Sequence, residues 1–337
     1  RRTRLFLDVP DLQAVGPALD AVGVATGLRA MDAPGISAAL HEMAPKLARL
    51  KARFVHYKVC STFDSSPQIG SIGAAVLALR EHLEPALVAV VGGQPSLGRY
   101  CHFGNLFAAA ADGEVYRIDR HPVMRHHPVT PMGEADLRLH LGAQRMAPIR
   151  LIDRAARAEG ATSLAHAIRQ AMAAGERKLL FDVGVTEDLL VIGEALRQLE
   201  ASRPILLVGA SSVAESLTLS DPRPASIEKA SPRAAPRQGP ILVFAGSRSP
   251  VTEAQIASSK RFYKIPIEPG ALALPDTLNG IAATCIAALL EGRNVLAYLL
   301  AGREHGLSSF RLAHASAELV AAIVASVTLR SLGVAGG

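Results

Sequence analysis

A cluster of hydroxyl, acidic and basic side chains lies in the segment YKVCSTFDSS at residues 57–66. Lys58 can pair with an anion, Asp64 can accept a proton, and Ser61 and Thr62 can hydrogen-bond the hydroxyls of a ligand. The run before them alternates like a β-strand, and ligands of parallel sheets bind beyond the carboxyl ends of strands. The segment is predicted either to bind a small polar ligand or to be a Ser/Thr-rich capping loop.

Two glycines, Gly70 and Gly73, follow this cluster just before a predicted helix. Glycine lets the backbone come close to a ligand, and the free N–H groups of a helix start suit an anion. The pattern therefore favours an anionic small molecule over an uncharged one.

A second segment, residues 120–132, holds three His, two Arg and three Pro. We expect a rigid, cationic segment in which Arg120 or Arg125 binds a carboxylate or phosphate, because a guanidinium group can bind two oxygens at once. A metal site is disfavoured, since the adjacent His126 and His127 diverge and no acid has ligand spacing. A proline-stiffened surface loop is the alternative.

A glycine turn, GSRSPVT at residues 246–252, follows a predicted strand and precedes a predicted helix. Such a turn can hold a phosphate with its backbone N–H groups. It matches neither the P-loop nor the dinucleotide-binding fingerprint. Gly336 and Gly337 are typical of the start of another such loop, with a frayed terminus as the alternative.

Strands and helices alternate along the chain, which predicts two α/β domains, each with a mostly parallel sheet flanked by helices. Pro45 is expected to kink or split the first long helix, and Thr162 or Ser163 to cap a later one. Predicted strands cover residues 4–9, 53–59, 86–91, 114–118, 178–183, 205–209, 241–245 and 294–300. Predicted helices cover residues 36–51, 74–83, 162–174 and 317–329, with others starting near 186 and 251.

A change of composition separates the two predicted domains. Residues 220–240 hold five prolines, four basic residues and two acids, with no aromatic residue, so they predict a linker. The domains are accordingly expected at residues 1–219 and 241–337.

Composition excludes several classes of protein. An apolar content of 49% with 20% charged residues excludes intrinsic disorder, and the lack of a long apolar run disfavours a membrane span. Three separated cysteines and the lack of a secretory signal pattern predict a cytoplasmic protein. The net charge of +6 permits an anionic partner, but scattered bases and 4% aromatic residues disfavour nucleic acid.

Three segments together resemble the four-carbon acid-sugar kinase family: YKVCSTFDSSPQIGSIG at 57–73, HPVTPMGEADL at 127–137 and GSRSPVT at 246–252. Their order and spacing match over most of the chain. The resemblance implies an N-terminal acid-sugar-binding domain, a C-terminal nucleotide-binding domain and ATP-dependent phosphorylation of a terminal hydroxyl, with Mg²⁺ bridging the phosphates. The CSTFD form is similar to the 3-oxo-tetronate and 3-oxo-isoapionate kinases.

The resemblance also implies roles for particular residues. Lys58 and Asp64 are the catalytic candidates, with Asp64 standing in for an Asp of the family's opening Asp-Asp-x-Thr-Gly motif. That motif would precede this chain, and the family's second domain continues past Gly337, so we expect an incomplete form of a family member. The implied substrate contacts are Lys58, Ser61, Thr62, Asp64, Arg120, Arg125, His127 and Thr130. The implied nucleotide contacts are Gly246, Ser247, Ser249, Gly336 and Gly337.

Alternatives remain at this point. One is an erythronate or threonate kinase, and another is a non-catalytic acid-sugar-binding protein of the same fold. A hydrolase or lyase using Ser211 or Ser247 would need an oriented His, and the chain has no G-x-S-x-G elbow. The expected partners are an acid sugar and ATP, without nucleic acid or membrane, and a homodimer is left open.

Overall fold

The computed structural model describes residues 2–16, 19–127, 129–155, 158–223, 238–247, 250–300 and 306–335. The chain divides into two compact units, Arg1–Ser226 and Ile227–Gly337. The division lies inside residues 220–240, the stretch whose composition predicts a linker.

The first unit contains ten strands and seven helices within its described residues. The strands are β1 Thr3–Phe6, β2 Ala21–Val24, β3 Phe54–Lys58, β4 Leu87–Val91, β5 Arg99–His102, β6 Asn105–Ala109, β7 Val115–Arg117, β8 Arg150–Ile152, β9 Lys178–Phe181 and β10 Ile205–Gly209. The helices are α1 Leu12–Val15, α2 Ala33–Arg49, α3 Ile72–Leu83, α4 Leu137–Leu141, α5 Ala161–Ala173, α6 Thr186–Arg197 and α7 Ser212–Leu219.

The main sheet of this unit has the order β3-β10-β4-β9-β8, and its strand pairs are parallel. Every residue of β4 and β10 is buried, as expected for parallel strands covered on both faces. Helices α2 and α3 pack on one face, and α5 and α6 pack on the other. The predicted α/β fold is confirmed, and the predicted strand at 205–209 has the observed bounds.

Two local predictions are wrong. Helix α2 is not split at Pro45: it continues to Arg49, with the buried Leu40 and Ala44 before the proline and the partly buried Leu47 after it packed on the same core. Helix α5 is capped by Gly160, with φ +92°, and not by Thr162 or Ser163, which lie inside the helix.

A small antiparallel sheet, β5-β6-β7, is inserted after β4, and of it only a strand at 114–118 was predicted. The two-residue turn between β5 and β6 consists of Phe103 and Gly104, both with positive φ, as type I′ hairpins require. The buried carboxylate of Asp182, just after β9, accepts hydrogen bonds from both turn N–H groups. The hairpin is thereby tied to the carboxyl edge of the main sheet.

The second unit has a four-stranded parallel sheet of order β12-β13-β11-β14. Its strands are β11 Ile241–Ala245, β12 Tyr263–Ile267, β13 Val295–Leu299 and β14 Ser331–Ala335, and its helices are α8 Pro250–Ser258, α9 Pro275–Leu290 and α10 Ser309–Ser326. Helices α9 and α10 supply much of its core. In the described parts of the two units, no helix has the length and apolarity needed to cross a membrane.

Helix α3 begins in close contact with the turn Gly142–Met146. A Cβ atom at Gly73 would lie 1.8 Å from the carbonyl oxygen of Gln144, so only glycine fits between the two segments. The backbone N–H of Gly73 also donates to Gln144 Oε1 at 3.3 Å. This contact fixes the start of α3 relative to α4 and the turn that follows it.

We expect Gly73→Ala to lower the free energy of unfolding by about 2 to 3 kcal/mol, because the added methyl group must displace the Gln144 backbone. Urea denaturation followed by circular dichroism measures this loss. Gly142→Ala is the matched control, since Gly142 is helical and its Cβ would lie 3.6 Å from the nearest side chain. Equal stability losses in the two variants would contradict the packing argument.

Candidate functional site

The loop after β3 turns sharply at Phe63, directly beyond the carboxyl end of the strand. Phe63 is fully buried and has a φ of +53°, a left-handed conformation that is unusual for a bulky residue. Its N–H donates to Cys60 O at 3.0 Å. The turn brings Thr62 and Asp64 inward.

The Asp64 carboxylate has no exposed side-chain surface and accepts hydrogen bonds from three segments of the chain. Thr62 Oγ1 donates to Oδ1 at 2.5 Å, Arg29 Nη2 donates to Oδ2 at 2.6 Å, and Thr130 Oγ1 donates to Oδ2 at 3.4 Å. Thr62 and Thr130 are themselves buried. The predicted residues Thr62, Asp64 and Thr130 therefore lie together. With Arg29 they form a group of four residues that we call the Asp64 cluster.

The donors decide the charge of Asp64. Burial raises the pKa of its carboxyl, but the hydrogen bond from Thr62 and the positive charge of Arg29 outweigh it and hold the pKa below its usual range. Asp64 is therefore ionised at neutral pH. A buried, ionised carboxylate that is held by three donors orients those donors strongly.

Arg29 is a member of the cluster that sequence reasoning missed. It lies in the short 3₁₀ turn Leu28–Ala30, between β2 and α2, where no motif surrounds it. A Cβ at Gly70 would lie 2.7 Å from Arg29 O, and Gly70 N donates to Met31 O at 2.8 Å. Gly70 thus allows two protein segments to pack closely. The glycine pair, Gly70 and Gly73, was the sequence signal that could have indicated this packing.

A second group of polar side chains lies behind the loop and was also missed. Ser65 Oγ is 3.0 Å from His140 Nε2, and Gln144 Nε2 donates to Ser65 Oγ at 2.8 Å. Burial lowers the pKa of His140, despite its hydrogen bond with Phe63 O, so its ring is neutral at pH 7. These contacts anchor the loop to α4 and the turn after it.

The helix-start N–H groups near Gly73 are not available in the way the sequence suggests. Ser71 caps α3 by accepting from Ala74 N at 3.1 Å, and Gln144 takes the Gly73 N–H. Two donors expected for an anionic ligand are used inside the protein.

The His- and Arg-rich segment folds around its histidines. His127 Nδ1 accepts from the backbone N–H of Thr130 at 3.0 Å, and a backbone N–H can only donate. In the neutral ring the proton is therefore on Nε2, and the Thr130 hydroxyl, 3.1 Å from Nδ1, is directed to Asp64. The buried His121 likewise accepts from Val123 N and Met124 N.

The predicted basic residues lie apart from this cluster. Arg120 and Arg125 are exposed, and neither side chain has a hydrogen-bond or ion-pair partner within the described residues. Lys58 is exposed at the end of β3, and Ser61 is half-buried. Because β3 side chains alternate, Lys58 shares the face of Phe54, which packs on the α5–α6 side.

In the second unit, the turn after β11 is described only through Ser247. The N–H groups of Gly246 and Ser247 both donate to Ala335 O, at 2.8 and 3.3 Å, so they continue the pairing with β14. Thr252 Oγ1 donates to Ser247 Oγ at 3.0 Å. Ser249, Gly336 and Gly337 lie outside the described residues.

The chain is similar to a known domain family and to proteins of known activity. Residues 2–217 match the sugar-binding N-terminal domain family. A 3-oxo-isoapionate kinase of Paraburkholderia graminis is 35% identical over 97% of this chain and 74% of its own length. A 3-oxo-tetronate kinase of Methylobacterium radiotolerans is 30% identical over 91% of this chain and 67% of its own. A solved Salmonella typhimurium structure, 22% identical, superposes with a TM-score of 0.73 over 99% of this chain and 79% of its own.

Fold and site together define a two-unit α/β protein whose first unit is a sugar-binding domain. With its relatives taken into account, the chain belongs to the four-carbon acid-sugar kinase family, as its three motifs predict. It spans about two thirds to three quarters of the length of the two kinases compared.

We expect Asp64→Asn to lower the free energy of unfolding by about 2 kcal/mol at pH 7, because the charge-assisted bonds are lost. The folded-state pKa of Asp64 is lowered, so its stabilisation is present above the unfolded-state pKa and is lost as the pH falls through the folded-state value. The difference in unfolding free energy between wild type and variant should therefore shrink below about pH 4.

Denaturant unfolding at pH 7, 5 and 3 measures this difference. Glu114→Gln, which neutralises an exposed carboxylate, is the control and should change stability by less than about 0.5 kcal/mol. A pH-independent difference for Asp64→Asn would show that the charge of Asp64 does not stabilise the fold.

Proposed function

We propose that this protein is an ATP-dependent kinase that phosphorylates the terminal hydroxyl of a four-carbon or branched 3-oxo acid sugar. The observation that carries the proposal is the 35% identity to a 3-oxo-isoapionate kinase over 97% of this chain. The 3-oxo-tetronate kinase relative supports the same substrate class. An erythronate or threonate kinase is the alternative within the family.

The first unit is proposed to bind the acid sugar. The Asp64 cluster supports this role, since it collects an arginine, a carboxylate and two hydroxyls beyond the end of β3. Lys58, Ser61, Arg120, Arg125 and His127 remain predicted contacts. Asp64 is predicted as the proton acceptor, but its carboxylate has no exposed surface and already accepts from three donors, which supports a positioning role better.

The second unit is proposed to bind ATP at the turn after β11, by way of Gly246, Ser247, Ser249, Gly336 and Gly337. ATP, when bound, supplies the phosphoryl group, and Mg²⁺ neutralises the charge that develops on it. The first two N–H groups of the turn already pair with Ala335, so a phosphate there would depend on the amides that follow.

The proposed Mg²⁺ fits such a site without a cage of protein ligands. The described residues contain no group of three or more His, Cys, Asp or Glu side chains suited to a metal. Magnesium in nucleotide sites keeps several waters and is held by phosphate oxygens with one or two carboxylates. Its binding would therefore depend on ATP.

We expect ATP consumption when the full-length protein is given 3-oxo-tetronates, 3-oxo-isoapionate, erythronate and threonate in turn. Turnover with an oxo acid, with phosphate on the product by mass spectrometry, supports the proposal and names the branch. Turnover with only erythronate or threonate would support the alternative. Acid binding without any phosphoryl transfer would instead favour a non-catalytic acid-sugar-binding protein.

We expect Ser249→Trp to weaken ATP binding at least about tenfold, because the indole would fill a turn meant for a phosphate. Calorimetric titration with ATP measures the loss, and titration with the acid sugar is the control and should be unchanged. Unchanged nucleotide affinity would indicate that ATP binds elsewhere.

A further inference from the structure

We propose that Arg29 recognises the carboxylate of the acid substrate, with Asp64 as its positioning residue. This inference rests on the proposed function and specifies it, since it assigns the group that distinguishes an acid sugar from a neutral one. It moves carboxylate recognition from Lys58, Arg120 and Arg125 to a residue outside all three sequence motifs.

Arg29 is the exposed member of a cluster whose other members are buried. The Arg29 side chain is 62% exposed, whereas that of Asp64 has no exposed surface. Thr62 and Thr130 are at least 95% buried. A ligand arriving from solvent therefore meets the cluster through the guanidinium group.

The Arg29 guanidinium group has more N–H donors than its contact with Asp64 uses. It carries five N–H groups, and Asp64 is the one side-chain partner it has among the described residues. The hydrogen bond from Nη2 to Asp64 Oδ2 restricts the position of the guanidinium group and leaves its other N–H groups on an exposed side chain. A planar guanidinium group can bind the two oxygens of a carboxylate with a pair of such donors.

The backbone that carries Arg29 is also fixed. Leu28, its neighbour, is buried, and Met31 O accepts from Gly70 N. The contact of Gly70 with Arg29 O leaves no space for a side chain there. Ala33 N donates to Gln68 O at 2.8 Å, which holds the other side of the turn. Arg29 therefore projects from a turn that is clamped to the hydroxyl-bearing loop.

The other basic candidates lack this support. Lys58 emerges on the face of β3 that belongs to the α5–α6 core, whereas Phe63, beside Asp64, packs in the α2–α3 core. Arg120 and Arg125 are exposed, and no side-chain contact orients them within the described residues. An unoriented cation gives weak and geometrically unspecific recognition of a carboxylate.

The first test is steady-state kinetics of Arg29→Gln and Arg29→Lys in the full-length protein. We expect Arg29→Gln to raise the KM for the acid roughly 10- to 100-fold, as for the loss of hydrogen bonds to a charged group, with the KM for ATP unchanged. Arg29→Lys keeps the charge beside Asp64 but loses the planar pair of donors, so a smaller rise is expected.

Selectivity for charge gives a second readout that a purely structural role would not change. Wild type should bind the acid more tightly than the corresponding uncharged amide, and Arg29→Gln should lose most of this preference. Calorimetric titration without ATP measures both affinities. Arg169→Gln, an exposed arginine on α5, is the matched control and should retain the wild-type preference.

The outcomes separate this inference from the proposed function. A KM and an acid preference within twofold of wild type for Arg29→Gln would overturn the inference, as would an effect seen only in Arg125→Gln. Acid binding that depends on Arg29 without any phosphoryl transfer would overturn the kinase proposal and leave the inference standing. Failure of wild type to bind any acid would overturn both.

Discussion

A carboxylate that is closed off from solvent needs compensating donors, and this requirement organises the first unit around Asp64. Its side chain has no exposed surface, yet the donors around it keep the carboxyl ionised. Those donors come from three segments, represented by Arg29, Thr62 and Thr130. An unpaired buried charge would cost several kcal/mol, so the three segments must meet for the fold to be stable. The requirements of folding and of the proposed ligand recognition therefore coincide at Asp64, because Arg29 is one of its donors.

Close contacts between backbone segments allow the three segments around Asp64 to come together. Gly70 lets the turn with Arg29 lie against the hydroxyl-bearing loop, and Gly73 lets the Gln144 backbone lie against the start of α3. Around the other side, His127 folds its segment so that the Thr130 hydroxyl is turned to Asp64. These internal contacts therefore use N–H groups and glycines that the sequence pattern predicts to bind a ligand. The site consequently presents an arginine at its surface and keeps most of its other polar atoms for internal bonding.

The sequence predicts what depends on local patterns. Strand β10 and strand β11 follow from short apolar runs, and the hydroxyl-rich segment with Thr62 and Asp64 is visible as a composition anomaly. Arg29 is not predictable in the same way, because it stands alone in the sequence and acquires its partner through tertiary packing across 35 residues. The same holds for the inserted hairpin, whose turn at Phe103 lacks the usual Asn-Gly signal and is held by Asp182 instead.

Strand β3 lies at the edge of the main sheet, and its one neighbour there is β10, with Phe54 in register with Ile205. During synthesis the amino-terminal half of this unit leaves the ribosome first. Strand β3 therefore has no sheet partner until β10 has been translated. The hydroxyl-rich loop that follows β3 cannot reach its final form before then. A nascent chain of this protein therefore carries β3 without its sheet partner for most of the unit's translation, a period in which an unpaired strand is prone to aggregation.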